Sequence, residues 1–265
     1  MLKQRIITAL MISLPLVAVL LFMPPLFSIG LFALVVVLGA WEWSALLSLQ
    51  SKWYRVMYVL MVFVFLALAW RYLRDPAYLP LLLQVALLWW VTVLVWMMCC
   101  PQHKSRWLTA VAGVLTLVPA WISIGCLLLL NSQWLLFMLL MVIGVDVGGF
   151  LFGRRFGRTK LAPRVSPGKT WEGVIGGVLL SILVIVAGAY WFAQPMGSFL
   201  MVSLLTVVMS VVGDLGESLF KRHAGLKDSG NILPGHGGIL DRIDSITAAA
   251  PVFLYGLSYL GVFVT

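Results

Sequence analysis

Residues 134–152 read Trp134-Leu-Leu-Phe-Met-Leu-Leu-Met-Val-Ile-Gly-Val-Asp146-Val-Gly-Gly-Phe150-Leu-Phe152, and Gly153-Arg154-Arg155 follows at once. Nineteen residues with a single charge match the length an α-helix needs to cross the roughly 30 Å apolar layer of a bilayer. The run has no strict alternation of apolar and polar side chains, so a strand of a membrane barrel is a poor reading. A helical span is the alternative that leaves no backbone group unpaired in lipid.

Working outward, the same pattern recurs along the chain. Apolar segments cover 6–23, 27–49, 55–70, 77–99, 108–131, 134–152, 173–193, 197–216 and 246–264, each about 16–24 residues long, as helical spans should be. The segment 55–70 is only just long enough and carries Arg55 at its start. Hydrophobic residues are 62% of the 265 and charged ones 10%, against about 25% charged in soluble domains. Mean hydropathy is +1.06. These values exclude a soluble fold and predict an all-α, polytopic integral membrane protein of about nine transmembrane helices. Lys3 and Arg5 precede the first apolar run like a signal peptide. No small-residue cleavage pattern follows, and a second apolar segment starts after Met23-Pro24-Pro25, so a retained first span is expected. Cys99, Cys100 and Cys126 lie in or beside apolar runs without metal-ligand spacing and read as small hydrophobes.

Positive charge predicts the orientation. With the N-terminus in the cytoplasm, 16 of the 18 Lys and Arg fall in cytoplasmic segments, and only Arg71 and Arg74 fall outside. Such bias is the rule for inner loops, so the N-terminus is expected inside and the C-terminus outside. The isoelectric point near 9.8 then reflects membrane orientation. The basic residues are split among short tethered loops, which argues against a nucleic-acid partner.

The acids divide the chain. Only Glu42 and Asp75 precede residue 146; Asp146, Glu172, Asp214, Glu217, Asp228, Asp241 and Asp244 follow. Residues 1–132 therefore read as a scaffold of transmembrane helices. Residues 133–265 read as the chemical half, with cytoplasmic polar loops at 153–172 and 217–245, inside one membrane domain. Asp214-Leu-Gly-Glu217-Ser218 closes the eighth span and Asp241-Arg-Ile-Asp244-Ser245 opens the ninth. Each puts two acids and a Ser on one helical face. Carboxylates converging from both would suit a hard cation such as Mg²⁺ that also takes substrate phosphates; an interfacial cluster of ion pairs with Lys221, Arg222 and Arg242 would explain them too. Asp146, within an apolar run before Gly148-Gly149, reads as a buried ligand or helix-packing site, since charges inside spans are functional by default.

The loop Val165-Ser-Pro-Gly-Lys-Thr-Trp-Glu172 contains Gly168-Lys169-Thr170. A phosphate-binding P-loop needs a Gly at 163, where Pro163 stands, and a preceding strand, which the sequence does not offer. Lys169 with the Ser166 and Thr170 hydroxyls at the start of the seventh helix suits a phosphate all the same, and equally a lipid headgroup. In 217–245, Lys221, Arg222 and Lys227 supply charge among five glycines, and His236 reads as structural or as a phosphate donor. Glu42, in Ala40-Trp-Glu-Trp43, is expected to pair with a polar or basic group from another span.

Taken together these motifs resemble a known family. Lys221-Arg222, Lys227-Asp228-Ser229-Gly230, Pro234-Gly235-His236-Gly237-Gly238 and Leu240-Asp241-Arg242-Ile243-Asp244 are similar to the signature of the phosphatidate cytidylyltransferases, or CDP-diacylglycerol synthases. Asp214-Leu215-Gly216-Glu217-Ser218, Ser166-Pro-Gly-Lys-Thr-Trp-Glu-Gly173, Lys160-Leu-Ala-Pro163, Leu2-Lys3-Gln-Arg5 and Ala40-Trp-Glu-Trp43 resemble its other motifs. The chain departs from the pattern at Val147 and Phe150, where the family usually carries hydroxyls.

The resemblance implies CTP + phosphatidate → CDP-diacylglycerol + pyrophosphate in phospholipid biosynthesis, at the cytoplasmic boundary of the cell inner membrane. It also implies Mg²⁺, with room for a second cation, and a homodimer among membrane lipids. Asp214, Asp241, Lys227 and Asp244 are then the expected catalytic residues. Asp214, Asp241, Glu217 and Asp146 are the expected metal ligands. Ser166, Lys169, Thr170, Lys221, Arg222, His236 and Arg242 are the expected substrate contacts. A CDP-alcohol phosphotransferase lacks support because its run of acids is absent. A cation-coupled transporter would show repeats with broken helices in both halves. A divergent paralogue acting on another lipid phosphate is the alternative that Val147 and Phe150 motivate.

Overall fold

The computed structural model describes residues 15–49, 51–72, 78–230, 232 and 237–263. His236 and residues 6–14 of the first expected span lie outside them. After helical residues 15–22, here α1, come α2 (Pro25–Leu46), α3 (Lys52–Tyr72), α4 (Leu79–Cys99), α5 (Arg106–Leu130) and α6 (Ser132–Phe156). The strands β1 (Lys160–Ala162) and β2 (Ser166–Thr170) precede α7 (Trp171–Trp191), α8 (Met196–His223) and α9 (Leu240–Tyr259). The protein is all-α and polytopic, as expected from its apolar runs.

Among the described residues seven helices, α2 to α8, are long and apolar enough to cross a membrane. The ninth expected span is present as α9, but it begins at Leu240 and takes Asp241 and Asp244 into its first turns. Several helices outrun their apolar segments, because backbone hydrogen bonding continues past the hydrocarbon edge. At 28 residues, α8 is about 42 Å long, well beyond the roughly 30 Å apolar layer. The excess carries Glu217, Lys221 and Arg222.

Local signals set the helix ends. Ser105 caps α5 by accepting from the Leu108 N–H at 3.4 Å, and Asn131 caps α6 by accepting from the Gln133 N–H at 2.9 Å. Thr170 caps α7, its Oγ1 accepting from the Gly173 N–H at 3.2 Å. Each side chain satisfies one of the N–H groups a helix start leaves unpaired.

Three antiparallel pairs organise the bundle: α6 with α7, α8 with α9, and α2 with α5. α5 is the most buried span, at 78%, and packs on both α2 and α9. Trp43 Nε1 donates to the Thr109 carbonyl at 2.8 Å and Trp121 Nε1 to the Ile29 carbonyl at 3.1 Å, which sets the α2–α5 register. The α6–α7 pair is closer. A Cβ on Gly148 would come within 2.5 Å of the Gly176 carbonyl oxygen, and one on Gly177 within 2.6 Å of the Val145 carbonyl oxygen. Small residues allow this approach where lipid supplies no hydrophobic drive. Gly213 does the same between α8 and α9, where a Cβ would meet the Asp244 carbonyl oxygen at 2.6 Å.

One local expectation is corrected. Residues 160–170 form a short antiparallel hairpin, with Lys160 opposite Thr170 and Ala162 opposite Ser166. A strand is therefore present, yet the P-loop stays excluded: Gly168-Lys169-Thr170 lie inside β2 and cannot wrap a phosphate as a loop following a strand does.

Candidate active site

The α6–α7 crossing positions the first half of the site. Asp146, Phe150 and Arg154 are spaced i, i+4 and i+8 on α6 and share a face. At the crossing and past it they line a cavity of about 350 Å³ together with Lys169, Thr170, Ser210, Asp214 and Ser245. Four helices and β2 thus meet at one opening. Lys169 Nζ lies 2.6 Å from Asp214 Oδ2, with about a quarter of each side chain exposed, and Ser218 Oγ donates to Asp214 Oδ1 at 3.5 Å.

The second half lies one to two turns further along α8. Lys221 Nζ is 2.6 Å from Asp241 Oδ1 and 3.0 Å from Glu217 Oε1, with Lys221 and Glu217 both buried. The Glu217 contact lacks hydrogen-bond alignment, and neither of its oxygens has a hydrogen-bond partner among the described residues. Asp241 also accepts from the Gly238 N–H at 2.9 Å and the Ser229 N–H at 3.1 Å, both on Oδ2. Reaching back three residues to Gly238, it ties the segment before α9 to the first turn of that helix. Gly237 makes that turn with φ +79°, where a side chain would be strained. Asp244 Oδ1 accepts from the Ser245 N–H at 2.6 Å.

The expected convergence of Asp146, Asp214, Glu217 and Asp241 around one cation is not what the helices produce. Among the described residues no group of three or more His, Cys, Asp or Glu is placed to hold a metal ion. The physical reason is Lys221, whose ammonium stands between Glu217 and Asp241 and supplies the positive charge there. Asp146 and Asp214 line the cavity apart from Lys221, and there Lys169 pairs with Asp214 Oδ2, a contact that an entering cation would share or displace. Mg²⁺ is commonly held by one or two carboxylates, with waters and substrate phosphates completing its shell. The cavity's donor set fits that requirement, so Asp146 and Asp214 are the residues that would hold the ion.

The remaining expected contacts are distributed. Thr170 lines the cavity but is buried and occupied as the cap of α7. Ser166 sits at the start of β2, half-buried. Lys227 is exposed in the turn after α8, and Arg242 on the first turn of α9. Arg222 donates to the Val165 and Leu226 carbonyls at 3.2 and 3.3 Å. With Lys104, Arg164 and His223 it lines a separate cavity of about 470 Å³. Arg154 was not among the expected site residues, although its four-residue spacing from Phe150 and eight from Asp146 is visible in the sequence. Of the two departures from the family pattern, Phe150 lines the first cavity while Val147 does not.

A multi-pass membrane protein with carboxylates, lysine and arginine facing one cavity at its helix ends has the parts of a phosphate-handling enzyme. The model of the cytidylyltransferase family matches residues 3–260. The phosphatidate cytidylyltransferase of Pseudomonas aeruginosa is 42% identical over 267 residues, covering 96% of each chain. That of Haemophilus influenzae is 38% identical over 288 residues, 96% of this chain and 98% of its own. The Staphylococcus epidermidis protein of that name is 42% identical over 157 residues, 56% of this chain and 60% of its own. The chain belongs to the cytidylyltransferase family.

Proposed function

We propose that the chain is a phosphatidate cytidylyltransferase, joining the CMP part of CTP to phosphatidate to make CDP-diacylglycerol for phospholipid synthesis. The observation that carries this reading is the cavity that brings Asp146 and Asp214 together with Lys169 and Arg154, at the end of helices that bury their other faces in lipid. A phosphatidate oxygen attacks the α-phosphorus of CTP in line. The bond to the β-phosphate breaks, and pyrophosphate leaves with the electron pair. An ionised phosphate needs no general base, so the task is positioning and charge neutralisation.

Lys169 and Arg154 bind and orient phosphate oxygens at the cavity, Arg154 by the paired donors of its guanidinium. Lys227 and Arg242 extend the positive surface outside it, and Arg222 lines a neighbouring basic cavity. Lys221 and Asp241 hold α8 and the start of α9 together. Asp146 and Asp214 would hold Mg²⁺, which would supply positive charge against the crowded phosphates. The positive-inside bias supports a site facing the cytoplasm from the inner membrane. A homodimer is the expected assembly, a reading that rests on the family resemblance alone.

The test is formation of CDP-diacylglycerol by the purified protein from phosphatidate, CTP and Mg²⁺. Product released in step with pyrophosphate is expected. An inactive wild-type protein, or full activity in Asp214→Asn, overturns the reading.

A further inference from the structure

Glu42 sits in α2, only 2% exposed, in the part of the chain that reads as scaffold. It makes no salt bridge among the described residues, contrary to what a buried carboxylate ordinarily requires. Its Oε2 instead accepts from the Leu240 N–H at 2.8 Å and from the Ser229 hydroxyl at 3.1 Å. These partners are 198 and 187 residues away in the chain and bracket the polar connection between α8 and α9. The backbone crowds the same carboxylate. A Cβ on Gly230 would reach 2.5 Å from Oε1, and one on Gly238 would collide with Oε2 and the Ser229 hydroxyl. Ser229 is held twice, since its N–H donates to Asp241.

A residue kept there only to fill space would be apolar, because an uncompensated carboxylate is expensive to bury. An oxygen acceptor with two lone pairs can receive a backbone N–H and a hydroxyl together, which no apolar side chain can do. We propose that Glu42 is a positioning residue for the transfer reaction. It pins Ser229 and the start of α9, and through them it sets Asp241 against Lys221 and orders the turn bearing Lys227. The inference rests on the reading of this end of the protein as the nucleotidyl-transfer site.

The experiment compares wild type with Glu42→Ala, Glu42→Gln and Ser229→Ala, each purified in detergent as the full chain. Initial rates are measured against CTP, tryptic cleavage after Lys227 is timed, and thermal melting is recorded. Glu42→Ala is expected to lower kcat at least tenfold and to speed cleavage after Lys227 at least fivefold. Glu42→Gln keeps one acceptor oxygen, so its effects are smaller in both readouts. Because Glu42 and Ser229 act through one contact, the double Ala variant is expected to be little worse than Glu42→Ala alone. If Glu42→Ala does not fold, the Gln and Ser229 variants carry the same comparison. Cleavage at the wild-type rate, or a fall in rate that matches the loss of folded protein, overturns the inference. A wild type without transferase activity whose Glu42 variants still open the turn to trypsin rejects the proposed reaction and leaves the positioning role standing.

Discussion

The Lys169 ammonium and the Asp214 carboxylate, 45 residues apart, meet at 2.6 Å on the wall of the cavity. The pair joins β2 to α8, and about a quarter of each side chain is exposed. At that exposure water screens the attraction, so the pair contributes no more than about 1 kcal/mol to stability. Its worth lies in what it holds ready for an incoming phosphate. Lys169→Ala and Asp214→Asn are therefore expected to melt within a few degrees of wild type. Each should lose turnover by roughly 10²–10³-fold, the scale for removing one preorganised charged group. Steady-state rates alongside melting curves check both halves.

Lys221 is expected to behave the opposite way. It is buried between Glu217 and Asp241, and removing it strands two carboxylates. Lys221→Met should destabilise the protein by about 3–5 kcal/mol, the usual penalty for breaking a buried pair. Adding Glu217→Gln removes one stranded charge and should recover part of the loss. Unfolding in detergent, followed by circular dichroism, measures both.

The α6–α7 crossing offers a packing test. Gly148→Val places a branched side chain where even a Cβ would lie 2.5 Å from the Gly176 carbonyl oxygen. Overpacking of this kind costs about 1–3 kcal/mol. It should also lower activity, because Asp146 is carried two residues from the crossing. Melting temperature and turnover are expected to fall together, unlike in the Lys169 variant.

Metal dependence should follow the cavity. Chelation with EDTA is expected to abolish turnover, and added Mg²⁺ to restore it. Asp146→Asn should raise the Mg²⁺ concentration needed for half-maximal rate by about tenfold, the low end for weakening a metal-site group. A magnesium titration of wild type and variant reads this out, and an unchanged midpoint would remove Asp146 from the ligand set.

The two departures from the family pattern should separate. Val147 is exposed and lies off the cavity wall, so Val147→Thr is expected to leave the kinetics unchanged. Phe150 lines the wall, with the Arg154 guanidinium 5.9 Å from its ring. Phe150→Tyr adds a hydroxyl beside that arginine and should shift the KM for CTP by a few-fold, measured under saturating phosphatidate.

What could be read from the chain alone follows from local physics. Apolar length places the spans, because lipid forbids unpaired backbone. Four- and three-residue spacing puts Asp214, Ser218 and Lys221 near one helix face, because helix geometry is fixed within a few turns. The concentration of acids from residue 146 onward points to the chemical end. Tertiary structure decided which of those groups meet. The glycine crossing of α6 and α7 brings Asp146 and Arg154 to the wall that Asp214 and Lys169 complete, and no spacing rule relates residues on different helices. Lys221, legible only as a cation, stands between Glu217 and Asp241, so the four acids do not converge. Glu42 reaches Ser229 and Leu240 because α2 packs against α5 and α9. Contacts across nearly 200 residues depend on how whole helices pack, and short-range sequence pattern does not encode that.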